Sequence, residues 1–248
     1  MDKLLNVKEA AALLNVSQMT IRRWTNAGLL RCFRIGKKLE RRFSPQDLKA
    51  FIEGEPDPRK KSLTPSVPAA ENSVGLGFGN ITVPDGTHLT HLYFDLQEAL
   101  GLQAFFLRQG LENAETVMVV SPDDRKEKLF QTLEQTGLDV MDLMNQNRLH
   151  HSSGKNDPAQ MSAYIAQVAS SALRRFRLVG DMSWTITKQW PGKEIRTLEE
   201  ITNTRMKPEH LIMCQYSLKE FSGRETMMAL ETHSLAVYKG KLGKSPLL

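Results

Sequence analysis

Side chains that could orient a small molecule recur in the second part of the chain, close to the ends of segments that predict strands. They are His91 and Tyr93, Ser121 and Asp123, Asp181 and Trp184, and Gln215 and Tyr216, with His88 just before His91. Imidazole, hydroxyl, amide and carboxylate groups fix a ligand by hydrogen bonds, while aromatic rings supply apolar contact. We therefore predict a binding pocket. Its expected residues are His88, His91, Tyr93, Asp181, Trp184 and Tyr216.

From about residue 86, the predicted elements that carry these residues alternate between strand and helix. Strands are predicted at residues 88–94, 116–120, 138–143, 177–184, 210–216 and 235–238, and helices between them. Such alternation is typical of βαβ units, so the predicted fold class is α/β, with a three-layer and mostly parallel sheet. Ligands bind beyond the carboxyl ends of the strands in such sheets, which would bring the selected residues to one rim.

Motifs for catalysis are absent from the sequence. A phosphate-binding loop needs a Gly-x-x-x-x-Gly-Lys-Ser/Thr sequence between the first strand and its helix, whereas residues 94–99 contain two acids and no glycine. No Ser/His/Asp, HExxH or Cys/His zinc spacing occurs either. His150 and His151 with Asp157 could ligate a metal, but an exposed loop is the expected state there. We predict no catalytic residue, no metal site and no cofactor.

The first fifty residues carry different signals, those of a helix-turn-helix. Asn6 and Glu9 predict a capping box, and the apolar residues of the helix that follows recur with helical spacing. Ser17 is expected to cap a second helix that ends before Gly28, with Ile21 and Trp24 facing inward. A short basic hairpin and a third helix starting at Pro45 follow, which predicts a wing.

Charge is concentrated in the same region. Residues 1–61 hold fourteen Lys and Arg against seven Asp and Glu, a net charge of +7, whereas the remaining residues sum to −2. A basic patch confined to one small domain is typical of DNA binding. Residues expected to contact double-stranded DNA are Ser17, Gln18, Thr20, Arg22, Arg23, Arg34, Lys37, Lys38, Arg41 and Arg42.

Composition changes sharply between the two regions. Residues 54–73 contain four prolines and few large apolar side chains, which favours an extended tether, and the glycine-rich residues 75–79 are expected to form a hinge. We therefore predict a DNA-binding domain at residues 1–53, a linker at 54–85 and an α/β domain at 86–248. The chain has no membrane-length apolar run, and its two distant cysteines favour a reduced, cytoplasmic protein.

Two families are similar to these regions. The segments Thr20-Ile21-Arg22-Arg23-Trp24 and 41–48 resemble the MerR and excisionase type of winged helix-turn-helix. Residues 88–93, 106–112, 178–184 and 214–223 resemble the MEDS domain, the sensory domain of dichloromethane-repressor-like regulators and a relative of the RecA/KaiC sheet. The second resemblance implies a sensor of one-carbon or hydrocarbon-like compounds.

Together these observations predict a ligand-responsive DNA-binding transcription regulator that is not an enzyme. One small DNA-binding module makes few contacts, so a homodimer on a two-fold operator is expected, held by the α/β domain. The sequence leaves two alternatives open. One is a nucleotide-binding switch or weak ATPase of RecA/KaiC ancestry, and the other is an architectural DNA-binding protein of the excisionase kind.

Overall fold

The computed structural model describes residues 4–14, 16–26, 30, 32–35, 40–53 and 73–247. The chain forms two compact units, Met1–Ala69 and Ala70–Leu248. Among the described residues, no helix combines the length and the apolar character needed to cross a lipid bilayer.

The N-terminal unit contains the predicted helix-turn-helix and wing. Helices α1 (Val7–Leu13), α2 (Gln18–Asn26) and α3 (Pro45–Glu53) accompany an antiparallel pair, β1 (Phe33–Ile35) and β2 (Glu40–Arg42). Asn6 and Glu9 form the expected capping box of α1, and Ser17 Oγ accepts the backbone N–H of Thr20 at 3.0 Å. Gly28, the expected end of α2, lies outside the described residues. The core of this unit consists of Ala10, Ala11, Ile21, Leu30, Phe43 and Leu48.

A mostly parallel, seven-stranded sheet forms the centre of the second unit. Its strands are β5 (Thr87–Tyr93), β6 (Thr116–Val120), β7 (Leu149–Ser152), β8 (Phe176–Asp181), β9 (His210–Ser217), β10 (Leu235–Tyr238) and β11 (Lys241–Lys244). They lie in the order β11-β10-β5-β9-β8-β6-β7, and only β11 pairs antiparallel. The predicted α/β fold class is confirmed.

Helices cover both faces of this sheet. On one face, here named the α4 face, the packed helices are α4 (Leu96–Glu112), α5 (Asp123–Glu134) and α6 (Val140–Asn145). On the other, here named the α9 face, they are α7 (Pro158–Ser170), α8 (Ser183–Thr187), α9 (Gly192–Thr204) and α10 (Gly223–Thr232). Strands that are buried on both faces have nearly continuous apolar sequences, and for this reason β6 could be predicted from the sequence.

The second half of the predicted linker belongs to this unit. Strands β3 (Ser73–Gly75) and β4 (Thr82–Pro84) form a hairpin that buries Leu76 and Phe78 in the core of the α4 face. Gly77 packs so tightly that an added Cβ would lie 2.3 Å from the Phe105 carbonyl oxygen. The expectation of a hinge at residues 75–79 is therefore wrong, because the glycines there permit close packing and positive φ angles.

Two further expectations for the sheet fail for local reasons. Residues 138–143 were expected as a strand, but Asp139 caps α6 by accepting the Asp142 N–H at 2.9 Å. The next strand of the sheet is instead β7, which contains His150 and His151, so these residues do not lie in a loop. Their side chains point to opposite faces of the sheet. Within α4, Gly110 packs closely: an added Cβ there would lie 2.8 Å from the Arg177 side chain.

Candidate functional site

The predicted pocket residues lie on two faces of the sheet. His91 and Tyr93 of β5, with Asp181 of β8, point to the α4 face, where their apolar strand neighbours also pack. His88 and Tyr216 point to the α9 face, and Trp184 packs in the core there. Side chains alternate along a strand, so shared placement at strand ends did not bring these residues into one pocket.

On the α4 face, Arg125 of α5 collects the strand-end groups. Its Nη1 donates to Asp181 Oδ2 at 2.7 Å, to Tyr93 Oη at 2.9 Å and to Ser183 Oγ at 2.8 Å. Asp181 is fully buried. Burial and the Asp181 carboxylate raise the pKa of Tyr93 above its ordinary value, so the phenol stays protonated. We name Arg125, Asp181, Tyr93, Ser183 and Glu220 the arginine cluster.

The arginine cluster reaches the surface through Glu220. Arg125 Nη2 donates to Glu220 Oε1 at 2.5 Å, and the Glu220 side chain is 38% exposed. Ser183 Oγ donates to the other oxygen of Glu220. The outer side of the cluster borders an open depression that Ile186 and Thr187 of α8 also line. Each charged group here has an opposite partner, as a buried ion pair requires.

His91 lies beside this cluster in a chain of amides. Gln103 donates to Gln215 Oε1, and Gln215 Nε2 donates to His91 Nδ1 at 2.8 Å. The proton of neutral His91 is therefore on Nε2, which is buried and has no hydrogen-bond partner in the described part of the chain. Burial lowers the pKa of His91 to about 4.

On the α9 face, four potential metal ligands converge. His88 of β5, Glu199 of α9, Cys214 of β9 and His233 after α10 are all buried, and one atom of each lies within 4.8 Å of the others. His88 Nε2 lies 2.9 Å from His233 Nε2, 3.3 Å from Cys214 Sγ and 3.3 Å from Glu199 Oε2. We name these four residues the His-Glu-Cys cluster.

Tyr216 holds the carboxylate of this cluster, because its hydroxyl donates to Glu199 Oε1. Burial on its own would raise the pKa of Glu199, whereas protonation of His233 or His88 and the hydrogen bond from the Tyr216 hydroxyl would lower it. Burial and Glu199 raise the pKa of the Cys214 thiol well above its ordinary value. A fixed carboxylate, two imidazoles and a thiol could together hold a cation.

A small apolar cavity borders the same cluster. Its lining includes Met161, Leu178, Met182 and Trp184, and also Glu199 and Cys214 of the cluster. Trp184 packs edge-on against Trp190, with ring centroids 4.7 Å apart. The walls of the cavity are almost entirely hydrocarbon and sulfur, which favours an apolar molecule, but its volume of about 20 Å³ holds only a water-sized group unless a lining side chain moves.

Sequence reasoning missed Arg125, Glu199, Glu220 and His233. Glu199 did carry a signal: it falls on the inward face of α9, one residue after the buried Leu198 and four after the buried Ile195. An acid at such a position predicts a buried partner. The others had none, because long-range packing alone brings Arg125 and Glu220 to Asp181.

The start of α4 does not resemble a phosphate site. Only Phe94 and Asp95 separate β5 from α4, and Asp95 accepts the Gln97 N–H at 2.9 Å. This carboxylate occupies the helix N-terminus, where a bound phosphate would need free N–H groups. Asp181, at the strand end where a magnesium-binding acid would stand, is paired with Arg125 instead.

In the N-terminal unit, the exposed face of α2 carries Gln18, Met19 and Arg22, and Met19 is 70% exposed. Ser17 and Thr20 are occupied with each other, because their hydroxyl oxygens lie 2.8 Å apart. Met19 did not enter the predicted DNA-binding set, although its position next to Gln18 could have suggested it.

The wing residues divide between two sides of β2. Arg41 and Arg42 are adjacent in the strand and so project to opposite faces. Arg42 donates to Glu40 Oε2 at 2.7 Å, which partly neutralises it. Lys37 and Lys38 lie outside the described residues, as do the side chains of Arg23 and Arg34.

Comparisons with known proteins agree with this division. Residues 4–56 match a helix-turn-helix domain, and residues 87–234 match the domain described as MEDS, the MEthanogen/methylotroph, DcmR Sensory domain. The transcriptional repressor DcmR of Methylorubrum extorquens (strain DSM 6343 / CIP 106787 / DM4) is 28% identical over 239 residues, covering 94% of this chain and 90% of the relative.

A solved structure extends the likeness to the fold. The crystal structure of a KaiC-like protein from the hyperthermophilic archaeon Pyrococcus horikoshii OT3 aligns with a TM-score of 0.52 and 16% identity, over 67% of this chain and 80% of that protein. The helix-turn-helix, the MEDS resemblance and the KaiC-like sheet predicted from sequence are confirmed, while the closer likeness to the MerR and excisionase type stays a prediction. With the family match spanning more than half of its residues, the chain belongs to the MEDS family.

Proposed function

We propose that this protein is a transcription regulator that binds double-stranded DNA through residues 4–56 and responds to a small molecule held by its MEDS domain. The observation that carries the proposal is the joining of a helix-turn-helix to a sensory domain in one chain, an arrangement shared with a relative named a transcriptional repressor. Such a regulator acts in the cytoplasm, where its DNA lies, and has no catalytic step.

For DNA, α2 is the proposed recognition helix. Gln18 and Arg22 of its exposed face have the chemistry for base edges, and Met19 offers an apolar contact for a thymine methyl group. Arg23, Arg34, Lys37, Lys38 and Arg41 supply the positive charge for phosphates. Arg42 contributes less because Glu40 competes for its guanidinium.

For the effector, we place a one-carbon or hydrocarbon-like compound in the apolar cavity of the α9 face. Trp184 lines this cavity, and the preceding Ser183 belongs to the arginine cluster. A molecule that displaced Trp184 would therefore move Ser183 against Arg125 and Glu220. His91, Tyr93 and Asp181 then act in the response rather than as the pocket wall, while His88 and Tyr216 support the wall from behind.

A homodimer is part of the same proposal. A single helix-turn-helix contacts half of a two-fold operator, so two copies give the contacts that specific binding needs. The MEDS domain is the proposed site of dimerisation. An effector that shifts α8 and the depression beside Glu220 would then change the spacing of the two DNA-binding domains.

The experiment begins with selection of bound duplexes from a random DNA pool, followed by anisotropy measurements on the selected sequence. Arg22→Ala should cost about 1–3 kcal/mol of binding and relax the sequence preference, because a bidentate base contact is lost. Arg108→Ala is the matched control, as this arginine pairs with Glu112 on the surface of α4. If both variants select the same sequence as the parent, α2 does not read the bases.

The effector is then tested with dichloromethane, methanol and short alkanes added to the protein–DNA complex. We expect at least one apolar compound to change DNA affinity and to alter tryptophan fluorescence, with both responses lost together in Trp184→Phe. ATP with magnesium is the control for the nucleotide-switch alternative. An effect of ATP alone, with no response to any apolar compound, would contradict the proposed sensing role.

A further inference from the structure

The His-Glu-Cys cluster has the arrangement of a metal site. Four side chains from β5, α9, β9 and the residue after α10 meet at one point, all with 5% or less of their surface exposed. In a hydrogen-bonded core histidine, a protonated ring nitrogen normally faces an acceptor and an unprotonated one faces a donor. Here two histidines instead present the same ring nitrogen to each other.

The hydrogen bonds on the outer side of each histidine fix which nitrogen faces inward. His88 Nδ1 lies 2.8 Å from Asn203 Oδ1, and the amide of Asn203 is oriented by donation to the Thr232 carbonyl at 2.8 Å. His233 Nδ1 lies 2.8 Å from the Ala229 carbonyl. Both outer partners accept, so each Nδ1 carries the proton and each Nε2 presents a lone pair to the centre.

The carboxylate follows the same pattern. Tyr216 donates to Glu199 Oε1, which leaves Oε2 directed at the centre, 3.6 Å from His233 Nε2 and 3.5 Å from Cys214 Sγ. Outer partners that hold the second atom of each ligand are typical of protein metal sites, where they fix the tautomer and orientation of the ligand.

From this geometry we propose that His88 Nε2, His233 Nε2, Glu199 Oε2 and Cys214 Sγ bind a divalent transition metal ion, with zinc as the ion best suited to the ligands. Two imidazoles, a carboxylate and a thiolate form a ligand set of intermediate softness. The Cys214 thiol releases its proton to solvent when the metal binds. This inference is independent of the proposed regulatory function.

The distances fit a tetrahedral ion. Metal–ligand bonds of about 2.0–2.3 Å place tetrahedral ligand atoms roughly 3.3–3.8 Å apart. Four contacts of the cluster, two at 3.3 Å and the others at 3.5 and 3.6 Å, fall in this range. The two Nε2 atoms, at 2.9 Å, need to separate slightly. Four protein ligands leave no open position, so the metal has a structural role that joins the sheet to α9 and to the end of α10.

This position also connects the metal to the apolar cavity. Glu199 and Cys214 are shared by the cluster and by the cavity wall. A metal that fixes both side chains would set the shape of that wall. Loss of the metal would therefore be expected to alter the cavity as well as to loosen α9.

The test measures metal in the purified full-length protein by mass spectrometry, before and after reconstitution with zinc under reducing conditions. We expect one zinc ion per chain, and a thiolate-to-metal charge-transfer band when cobalt replaces zinc. Cys214→Ser should abolish that band, whereas Cys32→Ser, the matched control in the other unit, should retain it. Asn203→Ala should weaken zinc binding about 10–100-fold, because it frees the ring of His88.

A folding readout keeps the result interpretable. A chelator should lower the melting temperature of the parent but have no effect on Glu199→Gln, which keeps the size of the side chain and loses the ligand charge. Circular dichroism identifies variants that fail to fold. A parent protein that takes up no stoichiometric zinc or cobalt after reconstitution, with a melting temperature insensitive to chelator, would overturn the proposal in favour of a purely hydrogen-bonded cluster.

Discussion

The two faces of the sheet each bury a polar cluster, and the clusters differ in how their charges are balanced. In the arginine cluster, the cation is a residue of the chain, and Asp181, Glu220, Tyr93 and Ser183 surround it. In the His-Glu-Cys cluster, the inward atoms are two imidazole nitrogens, a carboxylate oxygen and a sulfur. The first cluster supplies its own positive charge, whereas the second is arranged to receive one.

This difference indicates separate roles for the two faces. The arginine cluster reaches solvent through Glu220 and contains a hydroxyl on α8, so movement of α8 can change it. The His-Glu-Cys cluster is enclosed and joins four elements. We therefore expect the first to take part in the response to effector and the second to stabilise the domain.

Among variants that test this difference between the two clusters, Asp181→Asn should lower the free energy of unfolding the most. This change leaves the Arg125 guanidinium buried beside a neutral amide, and breaking a buried ion pair costs about 3–5 kcal/mol. Urea unfolding monitored by circular dichroism measures the loss. Glu112→Gln is the matched control, because its pair with Arg108 is exposed and should contribute less than about 1 kcal/mol. Equal losses in both variants would contradict the importance given to the arginine cluster.

A pH experiment sharpens the contrast for His91. Its folded pKa is about 4, below the ordinary value of 6.5, so the unfolded chain binds the proton first as pH falls. Stability is thus unaffected above pH 6.5 and is lost between 6.5 and 4, by about 3 kcal/mol in total.

The same experiment needs a variant that removes this titration. In His91→Gln, the free energy of unfolding should fall less steeply between pH 7 and pH 4 than in the parent. His150→Gln serves as the control, since its ring bonds only the Asn147 carbonyl at 2.9 Å. Parallel pH profiles for the parent and His91→Gln would show that the folded protein accommodates a charged His91.

The smallest effect is expected at the wall of the apolar cavity. Gly154→Ala would place a Cβ 2.1 Å from the Trp184 ring, whereas Gly137→Ala, at a similar φ of +89°, meets nothing within 4 Å. Both changes carry the cost of a left-handed backbone, so their difference isolates the steric contact, expected at about 1–3 kcal/mol. Thermal unfolding and tryptophan fluorescence measure it. An unchanged spectrum in Gly154→Ala would place Trp184 elsewhere.

Local patterns predicted most of the elements. The capping boxes at Asn6 and Ser222 set the starts of α1 and α10, and the uninterrupted apolar run of β6 gave a buried parallel strand. The predicted elements were wrong where one residue type is typical of two different local structures. Asp139 caps a helix where a strand was expected, and Gly110 lies inside α4 under the Arg177 side chain although glycine commonly ends helices.

The prediction of the site was limited because it rested on local position along each strand. Of the residues selected at strand ends, Tyr93 and Asp181 do meet, with the Tyr93 hydroxyl 3.4 Å from Asp181 Oδ1. The sequence did not show which face each residue takes, because a shift of one position moves a side chain to the opposite side. His88 and Tyr216 were therefore grouped with residues that lie across the sheet from them.

The two-part organisation, the α/β class and the family were predictable from the sequence, because capping, charge and apolar periodicity are local properties. The partners of the buried polar groups depend on the tertiary fold. Glu199 and His233 are 34 positions apart, and Arg125 and Glu220 are 95 apart, so their meeting depends on how helices pack on each face. Burial then fixes their partners, since a polar group removed from water must find a complementary one.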